Sequence, residues 1–126
     1  EMDLCRCTAE ERAVIRRQTA DFQRYDKLIR EGDYYRLTVP FQSPGYTAWA
    51  HVAPDRREAL VSLVTGSTWA AQPFITLKLK GLDPGANYRI NGGETLWRGD
   101  MLMYAGYPVP PMRGDYQALQ LHLEAD

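Results

Sequence analysis

The first quarter of the chain carries apolar residues at helical spacing. Thr8 and Glu11 form a capping box, because the threonine hydroxyl can accept from the third helical amide while the glutamate reaches back. Gly32 is a natural stop. The pattern predicts a helix over residues 8–30, about 33 Å long at 1.5 Å per residue, and this length indicates packing against something larger. The residues on its apolar side are Val14, Ile15, Phe22, Tyr25, Leu28 and Ile29.

After Gly32 the pattern changes to short apolar runs separated by turns. The runs at 47–53 and 59–65 are separated by a short polar turn and should pair as an antiparallel hairpin. The run at 74–80 alternates well, so one of its faces should be core and the other water. The predicted strands are 34–37, 47–53, 59–65, 74–80, 88–90, 95–97 and 116–123.

Two local motifs refine this strand pattern. Asn91-Gly92 favours the positive dihedral angles of a tight hairpin, so the strands on either side of it should pair. Asp100 has the character of a helix N-cap, with a short helical turn over 101–105 closed by Gly106. A strand through the same residues is the alternative left open.

Many short strands at regular spacing predict a mainly β fold, an antiparallel β-sandwich of Greek-key type with six to eight strands. One long amphipathic α-helix precedes it. We therefore expect two parts, an N-terminal helix over residues 1–31 and a C-terminal β-sandwich domain over residues 32–126. The total length of 126 residues suits a small core.

Composition excludes several partners. The formal net charge of −1 gives no general pull toward nucleic acid or an anionic membrane. No apolar stretch is long enough to span a bilayer, and no signal peptide is visible. Cys5 and Cys7 are too close for an unstrained internal disulfide and too few for a metal site, so thiols in a reducing compartment are expected.

Residues with candidate chemistry have simpler interpretations. A glycosidase needs two carboxyl groups across a sugar, but the four candidates lie in turn and cap contexts where aspartate bonds nearby amides. His51 and His122 lie in predicted strands, without a nucleophile elbow, and are expected to face outward. No catalytic, cofactor-binding or metal-ligating residue is assigned, and no cofactor is expected. The carboxyl candidates are Asp33, Glu94, Asp100 and Asp115.

The aromatic residues leave two interpretations open. Trp49, Trp69, Trp97 and eight tyrosines could form a sugar-stacking platform, with Trp69 as the best candidate for an exposed ring. In a sandwich, however, large aromatic residues are more often core or interface anchors.

Several segments together resemble one known family. Residues 32–37 (Gly-Asp-Tyr-Tyr-Arg-Leu) are similar to the Gly-Asp-Phe-Tyr-Arg-Leu segment of glycoside hydrolase family 36 α-galactosidases. Residues 99–110 match that family's run from Gly-Asp-x-Leu-Met to Ala-Gly-Leu-Pro-Leu-Pro, with Tyr107 in place of the usual leucine. The order and spacing agree from about Thr8 to Leu123. Further matching segments are 47–49, 58–61, 80–84, 88–90 and 114–117.

The resemblance implies a C-terminal domain of a larger enzyme, with the predicted helix as the last helix of its catalytic (β/α)₈ barrel. The family's two catalytic aspartates lie in that barrel, so none can be carried over to this chain. The parent enzyme would hydrolyse terminal α-galactosides such as melibiose and raffinose, with retention and without a metal. The implied partner is the missing barrel, and a homo-oligomer is left open. A cytoplasmic location is expected, and a carbohydrate-binding accessory module is the alternative function.

Overall fold

The computed structural model describes residues 4–39, 45–67 and 74–126. A short 3₁₀ turn comes first and the long helix follows it. The elements are the 3₁₀ turn Leu4–Arg6, α1 Ala9–Glu31, β1 Asp33–Arg36, β2 Tyr46–Val52, β3 Glu58–Thr65, β4 Thr76–Leu77, β5 Asn87–Ile90, β6 Leu96–Arg98, α2 Gly99–Tyr104, β7 Tyr107–Pro108 and β8 Ala118–Ala125.

The strands form two antiparallel sheets. Six strands pair in the order β1-β2-β3-β8-β5-β6, and β4 pairs with β7 in a small second sheet. The last strand, β8, returns to lie between β3 and β5, a connection of Greek-key type. The predicted fold class, mainly antiparallel β after one long helix, is confirmed, as is the β2–β3 hairpin. The division into domains at residues 31 and 32 stays a prediction.

The core lies between one face of the six-stranded sheet and the layer made by the small sheet and α2. Leucine, valine and alanine side chains from β2, β3 and β8 meet Leu77, Leu79 and Leu102 there. The predicted alternation of 74–80 is confirmed in burial, because Leu77 and Leu79 are buried while Thr76 and Lys78 are exposed. Its regular strand is shorter than predicted and covers Thr76–Leu77 alone.

The capping box of α1 is confirmed. The amide of Glu11 donates to Thr8 Oγ1 over 3.2 Å, and the amide of Thr8 donates to Glu11 Oε2 over 2.7 Å. Hydrogen bonds from the backbone and the side chain of Thr8 lower the pKa of the Glu11 carboxyl. Gly32 ends the helix with ordinary negative φ, and a side chain there would collide with the carbonyl oxygen of Leu28. Glycine is therefore required for close approach and not for a left-handed turn.

The predicted hairpin at Asn91-Gly92 is confirmed, since β5 pairs with β6 and both turn residues have positive φ. The helical prediction for the segment after β6 is confirmed and its strand alternative is wrong. The N-cap prediction for Asp100 is also wrong, because α2 begins one residue earlier, at Gly99. At this start Gly99 lies against the Asp83 carbonyl oxygen, where a Cβ would clash.

The carboxyl-terminal part of α1 lies on the other face of the six-stranded sheet, which we call the outer face. His122 of β8 is buried beneath it, 5% exposed, with the Tyr25 ring centroid 5.0 Å from its own. Its Nε2 lies 2.7 Å from Glu58 Oε1, and its Nδ1 lies 3.7 Å from Glu124 Oε2. The prediction that His122 faces outward to water is wrong, because α1 covers the outer face at this point.

Glu58 and Glu124 provide a matched test of how the two contacts of His122 affect stability. Both carboxylates approach its ring, and the two residues face each other on β3 and β8. We expect Glu58→Ala to lower the free energy of unfolding by about 1–3 kcal/mol, because it leaves His122 Nε2 buried without a partner. Glu124→Ala should cost less than about 1 kcal/mol, since its carboxylate is beyond hydrogen-bond distance and exposed. Urea unfolding followed by circular dichroism measures both, and equal losses would contradict this account.

Candidate functional site

The four candidate carboxylates lie far apart. Asp33 begins β1 at one edge of the six-stranded sheet, while Glu94 and Asp100 flank β6 at the opposite edge. Five strand spacings of about 4.8 Å separate these edges, roughly 24 Å. A glycosidase pair needs about 5–9.5 Å. Asp115 precedes β8, where Tyr116 N–H bonds to Gly66 O beyond the end of β3. The structure does not bring these residues together as a pair.

Asp100 has a local role instead. Its carboxylate accepts from Arg98 Nε over 3.1 Å and from Arg98 Nη2 over 2.9 Å, in a two-point ion pair. It also accepts from the Met101 amide over 2.7 Å. The bond to Arg98 lowers the pKa of the Asp100 carboxyl and raises that of the guanidinium. This arrangement holds Asp100 ionised, which suits local structure and does not suit a general acid.

His51 lies on the outer face of β2, half-buried and edge-on to the Tyr34 ring at 5.5 Å. Burial lowers the pKa of its imidazole, so the neutral form is favoured. Within the described residues its Nδ1 has no hydrogen-bond partner. The register places His51 opposite Tyr34 and Leu60, so its neighbours are an exposed ring and a buried aliphatic chain. This environment does not place a nucleophile beside His51 as a general base.

A groove of about 650 Å³ runs beside the end of α1, between the helix and the β2–β3 turn. Its charges are mixed, with Arg24, Lys27 and Arg57 facing four carboxylates, so it favours neither an anion nor a cation. Across the described ranges, no group of three metal-ligating side chains is close enough to hold an ion. The acidic lining residues are Glu31, Asp55, Glu58 and Glu124.

The tryptophans do not form one platform. Trp97 is half-buried against the core, and its ring meets Tyr107 edge-on at 5.4 Å. Trp49 lies half-buried on the outer face of β2. Trp69, the ring predicted to be exposed, lies outside the described residues.

The amino-terminal part of α1 presents several apolar side chains without cover. Of the 23 residues of this helix only Leu28 is buried. Phe22 is 58% exposed, Val14 is also exposed, and Ile15 is half-exposed. These positions belong to the apolar side that the sequence predicts. A surface helix normally buries such a side against its own domain, so the described residues leave this one unpaired. No helix among them is both long and apolar enough to cross a membrane.

Comparison with known proteins explains what these features belong to. Residues 46–123 match the family model for the glycosyl hydrolase family 36 C-terminal domain. Alpha-galactosidase AgaA of Geobacillus stearothermophilus is 35% identical over 125 residues, which are 99% of this chain and 17% of AgaA. The bifunctional alpha-galactosidase/sucrose kinase AgaSK of Mediterraneibacter gnavus is 38% identical over 88% of this chain and 12% of its own length.

Solved structures agree. The crystal structure of the GH36 alpha-galactosidase AgaB from Geobacillus stearothermophilus superposes with a TM-score of 0.91 at 37% identity. The match covers 98% of this chain and 17% of AgaB. The chain, with its long helix and its strands, therefore spans about a sixth of the length of AgaA and AgaB and about an eighth of the length of AgaSK. It belongs to glycosyl hydrolase family 36, as the C-terminal domain of that family.

Proposed function

We propose that this chain is a non-catalytic, structural domain of an α-galactosidase. The long helix α1 serves as the last helix of the catalytic barrel, and the sandwich that follows helps the enzyme to assemble. The observation that carries the proposal is the unpaired apolar side of α1. The solvent-facing side of a surface helix is normally polar, whereas α1 presents Phe22 and Val14 to water.

The distribution of carboxylates supports a non-catalytic role. Asp33 lies at one edge of the sheet, Glu94 and Asp100 lie at the other, and Asp115 precedes the interior strand β8. The bond to Arg98 favours the ionised form of Asp100. Because these four do not form the pair that a glycosidase needs, we place the two-carboxylate chemistry in a part of the enzyme outside this chain. The relatives, which are about six times as long, have room for it.

For the parent enzyme we propose hydrolysis of terminal α-galactosides such as melibiose and raffinose, with retention. An AgaA variant has been crystallised with raffinose and another with stachyose, and these relatives are similar to this chain throughout its length. We place the parent enzyme in the cytoplasm.

A carbohydrate-binding accessory module would need free aromatic faces, and Trp97 instead packs against the core.

Turnover is the direct test. We expect the 126-residue chain to release no galactose from melibiose or raffinose, because its four candidate carboxylates do not form the pair that cleavage of a glycosidic bond requires. The full-length enzyme that contains it should release galactose under the same conditions. Galactose is measured enzymatically at equal molar concentrations, and turnover by the short chain alone would refute the structural role.

The exposed side of α1 gives a second test. We expect the isolated chain to self-associate through this apolar side, and Phe22→Asp to weaken that association at least tenfold. The control is Gln23→Asp at the next position. It introduces the same aspartate and the same charge, but on the polar side of α1. Analytical ultracentrifugation gives the association constants. Equal weakening by both variants would mean that charge and not the apolar side controls association.

A further inference from the structure

The hairpin turn between β5 and β6 contains an asparagine followed by a glycine. Asn91 and Gly92 are its two central residues, both with positive φ, and the Gly93 amide donates to the Ile90 carbonyl oxygen over 3.0 Å. These features define a type I′ turn. Besides favouring such a turn, an Asn-Gly pair has a chemistry of its own.

That chemistry is deamidation. The Gly92 backbone nitrogen attacks the side-chain carbon Cγ of Asn91, a new C–N bond forms, and the carboxamide nitrogen leaves as ammonia, which takes up the Gly92 amide proton through water. Water then opens the cyclic imide at one of its two carbonyl groups, which gives aspartate or isoaspartate. Glycine hinders the attacking nitrogen least, because it has no side chain. Approach to Gly92 is open, since no described atom lies within 4 Å of the place that a Cβ would take.

The closed turn opposes this reaction. A type I′ turn holds its first central residue at a ψ of about +30 to +60°. At such an angle the Asn91 side chain and the Gly92 nitrogen lie on nearly opposite sides of the bond from Cα to the carbonyl carbon. Ring closure needs them on the same side, so the turn has to open before the nitrogen can reach Cγ.

Strand β8 also holds the Asn91 side chain. Oδ1 of Asn91 accepts from the His122 amide over 2.8 Å, and Nδ2 donates to the Gln120 carbonyl oxygen over 3.4 Å. The Asn91 amide donates to the His122 carbonyl oxygen over 2.8 Å. The carboxamide therefore has to give up its contacts with β8 before it can turn toward the Gly92 nitrogen.

Detachment of β6 would free the turn. This strand is three residues long, and within the described residues it pairs with β5 alone, at the end of the sheet. Leu96 and Arg98 are exposed, so the main side-chain attachment of β6 is the half-buried Trp97, whose ring meets Tyr107. Segments with few buried contacts open locally at a lower free energy than the whole protein unfolds.

We propose that Asn91 is a deamidation site whose rate is set by detachment of β6 from β5. The closed hairpin protects the asparagine, and each opening exposes it to an irreversible change. Isoaspartate adds a methylene group to the backbone of a two-residue turn, so the turn cannot close again in its original form. Aspartate loses the donor to Gln120, while its carboxylate can still accept from His122. The extent of deamidation therefore measures how often this edge of the sheet has opened.

The test is a deamidation assay of the full-length enzyme in heavy-oxygen water, which marks the carboxylates formed during incubation. The chain has two asparagines, Asn87 and Asn91, and trypsin cuts between them after Arg89, so mass spectrometry reads each in its own peptide. Asn87 is the internal reference, because the bulky side chain of the following Tyr88 hinders the attacking nitrogen. Rates are measured for the folded enzyme and for the enzyme unfolded in guanidinium chloride.

In the unfolded enzyme we expect Asn91 to deamidate at least tenfold faster than Asn87. Folding should slow the reaction of Asn91 at least a hundredfold. Folded and unfolded rates within threefold of each other would mean that the turn gives no protection, and would overturn the proposal. Equal rates for the two asparagines in the unfolded enzyme would refute the labile site itself.

Variants separate opening of the hairpin from unfolding of the whole domain. Trp97→Ala weakens the attachment of β6 and should raise the rate at Asn91 in the folded enzyme at least tenfold. Trp97→Phe keeps a ring, should raise the rate less, and replaces Trp97→Ala in the comparison if that variant does not fold by circular dichroism. The control is Thr8→Ala, which removes the distant capping box of α1 and should change the rate less than threefold.

Two results would contradict the role of β6. Equal acceleration by the Trp97 and Thr8 variants would mean that unfolding of the whole domain exposes Asn91. A rate that neither Trp97 variant raises would mean that detachment of β6 does not expose it. Either result refutes the proposal.

Discussion

The structure depends on a central strand that is apolar on both faces. β3 reads Glu-Ala-Leu-Val-Ser-Leu-Val-Thr, and it lies between β2 and β8 in the middle of the six-stranded sheet. Ala59, Val61 and Leu63 point to the core, whereas Leu60 on the opposite side is just as deeply buried. A strand of this kind needs cover on both sides. The small sheet with α2 supplies one cover, and the end of α1 supplies part of the other.

Beneath that second cover, the end of α1, lies the buried His122 of β8. Tyr25 of α1 packs against His122, and the Nε2 of His122 is satisfied by Glu58. A buried imidazole without that bond would oppose the packing that buries it. His122, a candidate for catalysis by residue type, therefore acts here in structure, since it bonds β8 to β3 through Glu58 and contacts the Tyr25 ring of α1.

Much of this fold could be predicted from local patterns. The capping box at Thr8 and the hairpin at Asn91 are set by neighbours in sequence, and both are as predicted. The N-cap prediction for Asp100 is wrong, since α2 begins at Gly99, whose close approach to the distant Asp83 carbonyl no local pattern specifies. The burial of His122 also depends on a remote element. The apolar run Ala59-Leu60-Val61 at the start of β3 carried a signal for that cover, since a strand exposed on one face would alternate.

The candidate site was harder to predict for a topological reason. Asp33 and Asp100 are separated by five strand spacings because β8 returns to lie between β3 and β5, and no local pattern specifies that order. The same order also places Trp49, Val64 and Ala118 on one face of the sheet, although they come from three separate strands. Each residue alone is an ordinary exposed apolar group. Only the register of the strands brings them together on one surface.

The position of α1 links stability and function under the proposed function. A helix that belongs to the barrel by sequence order and to the sandwich by packing cannot leave either without exposing apolar surface. Loss of the barrel uncovers Phe22, and loss of the sandwich uncovers Leu28. Such sharing makes the two parts stabilise each other, because each supplies the cover that the other lacks. A domain without catalytic groups can then be essential to an enzyme through this one helix, whose burial requires both neighbours to be folded.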